Sequence, residues 1–345
     1  MRSFKLTLIL GLLMVFVLSF EAIAEVYNWK IASCEVEGMP QTIFAERYAK
    51  LVEEKSDGRI KIEVFPFGTL GEQRDIVELV QMGQIELASV DVGWVGGFVP
   101  QVQVFSLNYL LPKENIAEVL VEICKNGLSA RLLDEKFREK GFKLLGIWGH
   151  GWMYIISNYE MRSLQDFQGK RHRVSGNPVV IDIYNNYGFK SLTLGYGELY
   201  QAMQSKMIDS FPNSIMSIYH MHFYEVGNYI FNAFNELFMA VPIINRDLFD
   251  SLPQDLQKIV IDSCVEIVEP LTTYCFGIEE EMKAQIKKEN PSITIYDISE
   301  EQIGILKERA WQESGGINTY LRIGGEGAKE ILDALVADIK TAQNQ

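Results

Sequence analysis

Arg173 is the residue in this chain with most to offer a ligand. It lies near the end of a short strand-like run, 170–174, and Ser175-Gly176-Asn177-Pro178 follows as a natural start for a helix. A guanidinium held there presents a planar fork of donors, the geometry that grips a carboxylate through two parallel hydrogen bonds. About forty residues on, Asp209-Ser210-Phe211-Pro212-Asn213 closes another short apolar run with an amide side chain. Read plainly, Arg173 is one more strand cation beside Lys170 and Arg171, and Asn213 caps a helix that begins at Ser214. Catalytic patterns are missing: the sequence has no GxSxG, GxGxxG or HExxH run. His220 and His222 are two apart, so a helix points them to different faces and away from joint zinc ligation. His150 and His172 have no acidic or cysteine partner at a motif spacing. No catalytic residue, metal site or cofactor is expected.

The composition narrows the class of ligand. The 345 residues carry 46 acidic and 32 basic side chains, a formal net charge of −14, which argues against a nucleic-acid partner. In so acidic a chain, an anionic ligand depends on local attraction, which raises the value of one well-placed Arg. Residues 1–24 read as a secretory signal: Arg2 and Lys5, an apolar run over 6–20, then Ala22-Ile23-Ala24 as a small-x-small cleavage site. The expected location is the periplasm. Four cysteines stand at 34, 124, 264 and 275, with no CxxC pair. Cys264 and Cys275 share one expected helix, too far apart along it to bridge, so mostly free thiols are expected.

The elements that must position Arg173 follow from periodicity. Strands are expected over 27–33, 59–65 and 85–92, with helices over 41–55 and 72–82 between them, which implies parallel pairing. Helices over 114–126 and 130–140 precede a strand over 142–148. Gly149-His150-Gly151 then looks like a crossing into a second domain, which opens with a strand over 152–157. Later come an aromatic-rich helix over 214–224, a returning strand over 238–245, a long helical stretch over 253–288 and a last helix over 327–342. The fold class expected is α/β: two domains of the periplasmic-binding type around a cleft, with a long domain-spanning helix. Domain I takes 25–150 plus 239–278, and domain II takes 151–238 plus 279–345.

Three blocks carry a resemblance to a known family. They are Gly169-Lys170-Arg171-His172-Arg173-Val174, Tyr196-Gly197-Glu198-Leu199-Tyr200 running on to Gln204, and Ile208-Asp209-Ser210-Phe211-Pro212-Asn213. Phe65-Pro66-Phe67-Gly68-Thr69-Leu70-Gly71-Glu72 and the run 98–110 fit the same pattern. In this order the segments resemble the solute-binding proteins of tripartite ATP-independent periplasmic (TRAP) transporters, the dicarboxylate-binding-protein (DctP-type) family. The resemblance implies a non-enzymatic carrier, likened to a monomer, that hands a small organic acid to separate small and large integral membrane subunits.

It also implies the site. The family's Arg at the position of Arg173 holds the ligand carboxylate, the Asn at 213 hydrogen-bonds the ligand, and an aromatic stands at Tyr196. The family's second pocket Arg, expected four or five residues before Asn158, has no counterpart in Gly151-Trp152-Met153-Tyr154-Ile155. Trp94 replaces polar or basic residues after the third strand. Trp94, Trp152 and Met153 therefore suggest a monocarboxylate with an apolar or aromatic body, with core packing as their plain alternative. Glu35, Glu37 and Asp91 end strands at the cleft rim, where one could meet an ammonium or hydroxyl; Glu37 and Asp91 are the candidates carried forward. A C4-dicarboxylate or sugar-acid binder, a sensor domain serving a receptor, and a secreted α/β hydrolase stay open.

Overall fold

In the computed structural model, residues 25–312 and 316–344 are described. The signal reading of 1–24 lies outside them. Ten strands form one mixed sheet: β1 (Tyr27–Ser33), β2 (Ile60–Phe65), β3 (Leu87–Asp91), β4 (Phe142–Leu144), β5 (Trp148–Ser157), β6 (Arg171–Val174), β7 (Lys190–Thr193), β8 (Ser210–Ser214), β9 (Tyr229–Asn245) and β10 (Thr294–Asp297). The main order is β2-β1-β3-β9-β5-β8-β6-β7, with β4 and β10 also paired to β9. The eight helices used below are α1 (Pro40–Lys55), α2 (Gln73–Gln81), α3 (Ile116–Asn126), α4 (Leu128–Glu139), α5 (Pro178–Asn186), α6 (Gln254–Gly277), α7 (Glu279–Glu289) and α8 (Ala328–Gln343).

The expected parallel trio is present, since β1 pairs in parallel with both β2 and β3. β1 and β2 are each followed by a helix with a buried apolar face, as α1 buries Phe44, Tyr48 and Val52. Phe44 stacks on Tyr48 and on Trp148, at 5.6 and 5.7 Å between ring centres, and the Tyr48 hydroxyl donates to the Val260 carbonyl of α6. This locks helix, sheet and long helix into one core. At the other end, β6 pairs in parallel with β7 and β8.

β9 and β5 join these two halves. β9 is 17 residues long, far more than the strand expected over 238–245. Its Ala240–Ile244 portion pairs antiparallel with β3, and its first part pairs with β5. The β5–β9 register shifts twice, between Gly149 and Trp152 and between Trp152 and Tyr154. Gly151, in the first shift, has φ +114°, and Phe234, on β9 within the second, takes φ +49°, a left-handed conformation that a bulky residue rarely adopts. These irregularities lie where the chain was expected to cross. The long helical stretch also breaks there, α6 ending at Gly277 and α7 starting at Glu279.

The last helix departs from expectation. Grouping all of 279–345 with the second domain would place α8 there, yet it packs against α3 and α4 of the first half. Asp338 of α8 accepts hydrogen bonds from Leu128 N at 3.2 Å and from Ser129 N and Oγ at 2.8 and 2.6 Å. Its carboxylate thus satisfies the orphan amides at the start of α4. That long-range cap is invisible in local sequence.

Candidate functional site

A cavity of about 90 Å³ lies where the two halves of the sheet face one another. That is several times the space one water needs, room for a small organic molecule. Arg173, Asn213, Tyr196, Trp94, Asp91 and Met153 all line it, with Glu35, Ser106, Asn177 and Glu236. The sequence residues are therefore brought together from β3, β5, β6, β8 and the turn at Tyr196–Glu198.

Arg173 is placed by its strand. β6 sits between β7 and β8, with Arg173 opposite Leu192 and His172 opposite Ser210. Asp209 ties β6 to β8 by accepting from Arg171 N, Nε and Nη2 at 2.8, 3.0 and 2.6 Å. His172 packs behind, between Tyr184 and Phe189, with Nδ1 2.8 Å from Ser210 Oγ. Its burial holds its pKa down to about 3, so it is a neutral spacer next to the cation. Arg173 itself is only 6% exposed. Its Nε and Nη2 donate to the Leu194 carbonyl at 3.0 and 2.9 Å. Among the described residues Nη1 has no acceptor and no carboxylate lies within ion-pair distance of the guanidinium. Burial depresses the guanidinium to about 10, against the opposing pull of Asp91. Burying a cation without a paired anion is costly.

Asn213 lies on β8 opposite Tyr154. Its Oδ1 accepts from Ser214 N at 2.9 Å, while Ser214 itself caps the helix Ile215–His220. The capping role expected of Asn213 therefore falls to Ser214, and the Asn213 side chain lines the cavity beside the Tyr196 hydroxyl. The Tyr196 hydroxyl faces Ser217 and Asn213, and burial raises its pKa. Asp91 caps the short turn after β3, its Oδ1 accepting from Gly93 N at 2.8 Å and Trp94 N at 3.1 Å.

Two expected site residues stand outside. Trp152 packs edge-on against Phe234 and Phe276 and borders a different crevice with Tyr109 and Lys113. Consecutive strand residues face opposite ways, so Met153 and Trp152 cannot both look into one cleft. Glu37 is exposed in the turn before α1 and does not line the cavity. Its neighbour Glu35 does, but both Glu35 oxygens lie against His150 Nε2, at 2.8 and 2.9 Å, and Oε2 also accepts from Gln41 N. His150 thus has an acidic partner after all, 115 residues away in sequence. Glu236 was missed. It is the sole charge in the 17 residues of β9, and that solitary carboxylate in an apolar run was the available signal.

The two halves touch across the cavity. Asn177 Nδ2 donates to Ser106 Oγ at 2.8 Å, and Asn108 Nδ2 donates to the Tyr187 hydroxyl at 3.1 Å. A Cβ on Gly93 would stand 3.2 Å from Ser175 Oγ.

Residues 31–313 match the model of DctP, the bacterial extracellular solute-binding proteins of family 7. The chain belongs to that family. The ectoine-binding periplasmic protein TeaA of Halomonas elongata is 29% identical over 347 residues, covering all of this chain and 99% of its own length. Its high-resolution structure, described as part of the TeaABC TRAP transporter, superposes with a TM-score of 0.84 at 28% identity over 91% of this chain and 99% of that one. A TRAP solute-binding protein from Desulfovibrio salexigens with bound orotic acid gives 0.85 at 25% identity, covering 92% and 99%. The C4-dicarboxylate-binding protein DctB of Bacillus subtilis is 25% identical over 82% of this chain and 79% of its own. As a DctP-family member the chain is a TRAP-type solute-binding protein for organic-acid-like ligands and a transport component rather than an enzyme. No described helix is long and apolar enough to cross a membrane.

Proposed function

We propose that this chain works in the periplasm, captures a small monocarboxylate with a compact apolar or aromatic body, and delivers it to the membrane subunits of a TRAP transporter. The observation that carries the reading is Arg173: a buried cation, two donors spent on Leu194, one nitrogen without an acceptor among the described residues. A ligand carboxylate would complete its hydrogen bonding and neutralise it, while Asn213 and Tyr196 meet the same end of the ligand and Trp94 and Met153 flank its body. Ectoine and orotic acid, bound by the relatives above, are both six-membered rings with one carboxylate, which agrees with a site of this size. A C4-dicarboxylate fits less well, because among the described residues Arg173 is the only cation lining the cavity and a second carboxylate would meet Glu35, Asp91 or Glu236.

Release would follow opening of the cleft. We divide the chain into lobes at the β5 and β9 irregularities and at the α6–α7 break, with α8 assigned to the first lobe. Several crossings restrict relative movement to a hinge. A ligand bridging the lobes favours the closed form by its differential contacts. A thermal-shift screen of organic acids, followed by calorimetry, tests the reading. The tightest ligand should be a monocarboxylate; succinate, malate or fumarate binding more tightly than every ring monocarboxylate would overturn that choice.

A further inference from the structure

Among the described residues one cation and three carboxylates line the cavity, and the three are not equivalent. Glu35 is fully engaged by His150 and the Gln41 amide. Asp91 spends Oδ1 on the Gly93 and Trp94 amides, and its Oδ2 has no donor among the described residues. Glu236 accepts one long hydrogen bond, 3.3 Å from the Tyr184 hydroxyl to Oε2, and its Oε1 likewise has no donor among the described residues. Both side chains line the same cavity as Arg173, and neither forms an ion pair within it.

Resting on the monocarboxylate reading, we infer that the part of the ligand facing the β3–β9 wall of the cavity carries a nitrogen that donates hydrogen bonds, neutral or cationic, and that Asp91 and Glu236 select for it. An apolar group there would bury two carboxylate oxygens against hydrocarbon with nothing to replace lost water. A second carboxylate would add a like charge to an acidic wall. A nitrogen-bearing ring satisfies both open oxygens and, if cationic, balances the charge. Asp91 ends β3 and Glu236 lies on β9, strands separated from β6 by β5 and β8 in the sheet order, and Asp91 is near enough to Arg173 to feel its charge. The lining is matched to a molecule that carries an anionic group and a donor nitrogen side by side. The trait is set by two residues outside the block that marks the carboxylate site.

Calorimetry with matched rings tests this. The set is piperidine-3- and piperidine-4-carboxylate, ectoine and orotate against cyclohexanecarboxylate, benzoate and succinate. The tightest binder should be a nitrogen-bearing acid, exceeding its nitrogen-free counterpart at least tenfold. Glu236→Leu, with Asp91→Asn as a second variant that keeps the turn cap, should shrink that ratio to threefold or less. Arg173→Ala should weaken both kinds of ligand together. A nitrogen-free acid as tightest binder overturns the inference, as does a ratio unchanged in both folded variants. If the ratio holds but Arg173→Ala alters nothing, the carboxylate reading fails instead. The wild-type comparison needs no variant, so a poorly folding substitution leaves the test intact.

Discussion

Arg173 gives two N–H groups to a single oxygen, the Leu194 carbonyl, at 3.0 and 2.9 Å. This fixes the plane of the guanidinium without neutralising it. A carbonyl holds an arginine in place yet leaves its charge for something else. Preorganisation of that kind lowers the cost of ordering on binding.

Gly93 and Ser175 meet across the cleft, and the first prediction concerns them. A Cβ at Gly93 would sit 3.2 Å from Ser175 Oγ and 3.0 Å from Asp91 Oδ1. Gly93→Leu should hold the lobes apart and weaken ligand binding tenfold or more, with little change in the melting temperature of the free protein. Adding Ser175→Gly should restore part of the affinity. Calorimetry on the two variants checks this; a Gly93→Leu protein that binds normally would mean the contact is irrelevant to closure.

The second prediction is a pH dependence of stability. Burial pushes Glu236 up to about 7 and Asp91 to about 6, above their unfolded values of about 4.3 and 3.9. Glu236 faces Tyr184 and Asp91, and Asp91 faces Glu35 and Arg173. Between the unfolded and folded pKa values the native state binds more protons, so these groups make stability fall as pH rises through that window. His172, held near 3, has the opposite slope. Glu236→Gln removes one falling contribution and leaves His172 untouched. The melting temperature of the variant minus that of the wild type should therefore be larger at pH 8 than at pH 5. An equal difference at both pH values would contradict the assignment.

A third prediction addresses the crossing. Glu279, at the start of α7, accepts from Trp152 N at 3.1 Å and from the Tyr154 hydroxyl at 2.7 Å. It fastens the long helix to the strand crossing beside Gly151, whose Cβ would lie 3.0 Å from Glu279 Oε1. Glu279→Ala strands two buried donors, a loss on the order of 1–3 kcal/mol for each group left unsatisfied. Chemical denaturation should show a lower midpoint, with Glu279→Gln intermediate. A neutral Glu279→Ala would show that the crossing is held by packing alone.

Much of this was legible in sequence because it was local. The β1–α1–β2–α2–β3 order came from periodicity, and Arg173, Asn213 and Tyr196 came from a family pattern within some forty residues. What escaped was set by distant pairing. β9 was cut short because its first half is read against β5 and β10, not against its own alternation. Glu37 was preferred to Glu35 for want of any sign that His150 would meet Glu35. Trp152 was the one avoidable error, since strand alternation already separates it from Met153. Glu236 stood in plain view as a lone charge in an apolar strand.

The central claim is that Arg173 holds the ligand's carboxylate, and Arg173→Lys tests it most directly. Lysine keeps a charge but loses the planar fork and the paired bonds to Leu194. The comparison is a calorimetric titration of wild type and variant with the organic acid that gives the largest thermal shift. Affinity should fall at least tenfold, about 1.4 kcal/mol, with circular dichroism unchanged. An unchanged dissociation constant in a folded Arg173→Lys protein would remove Arg173 from the site and contradict the account.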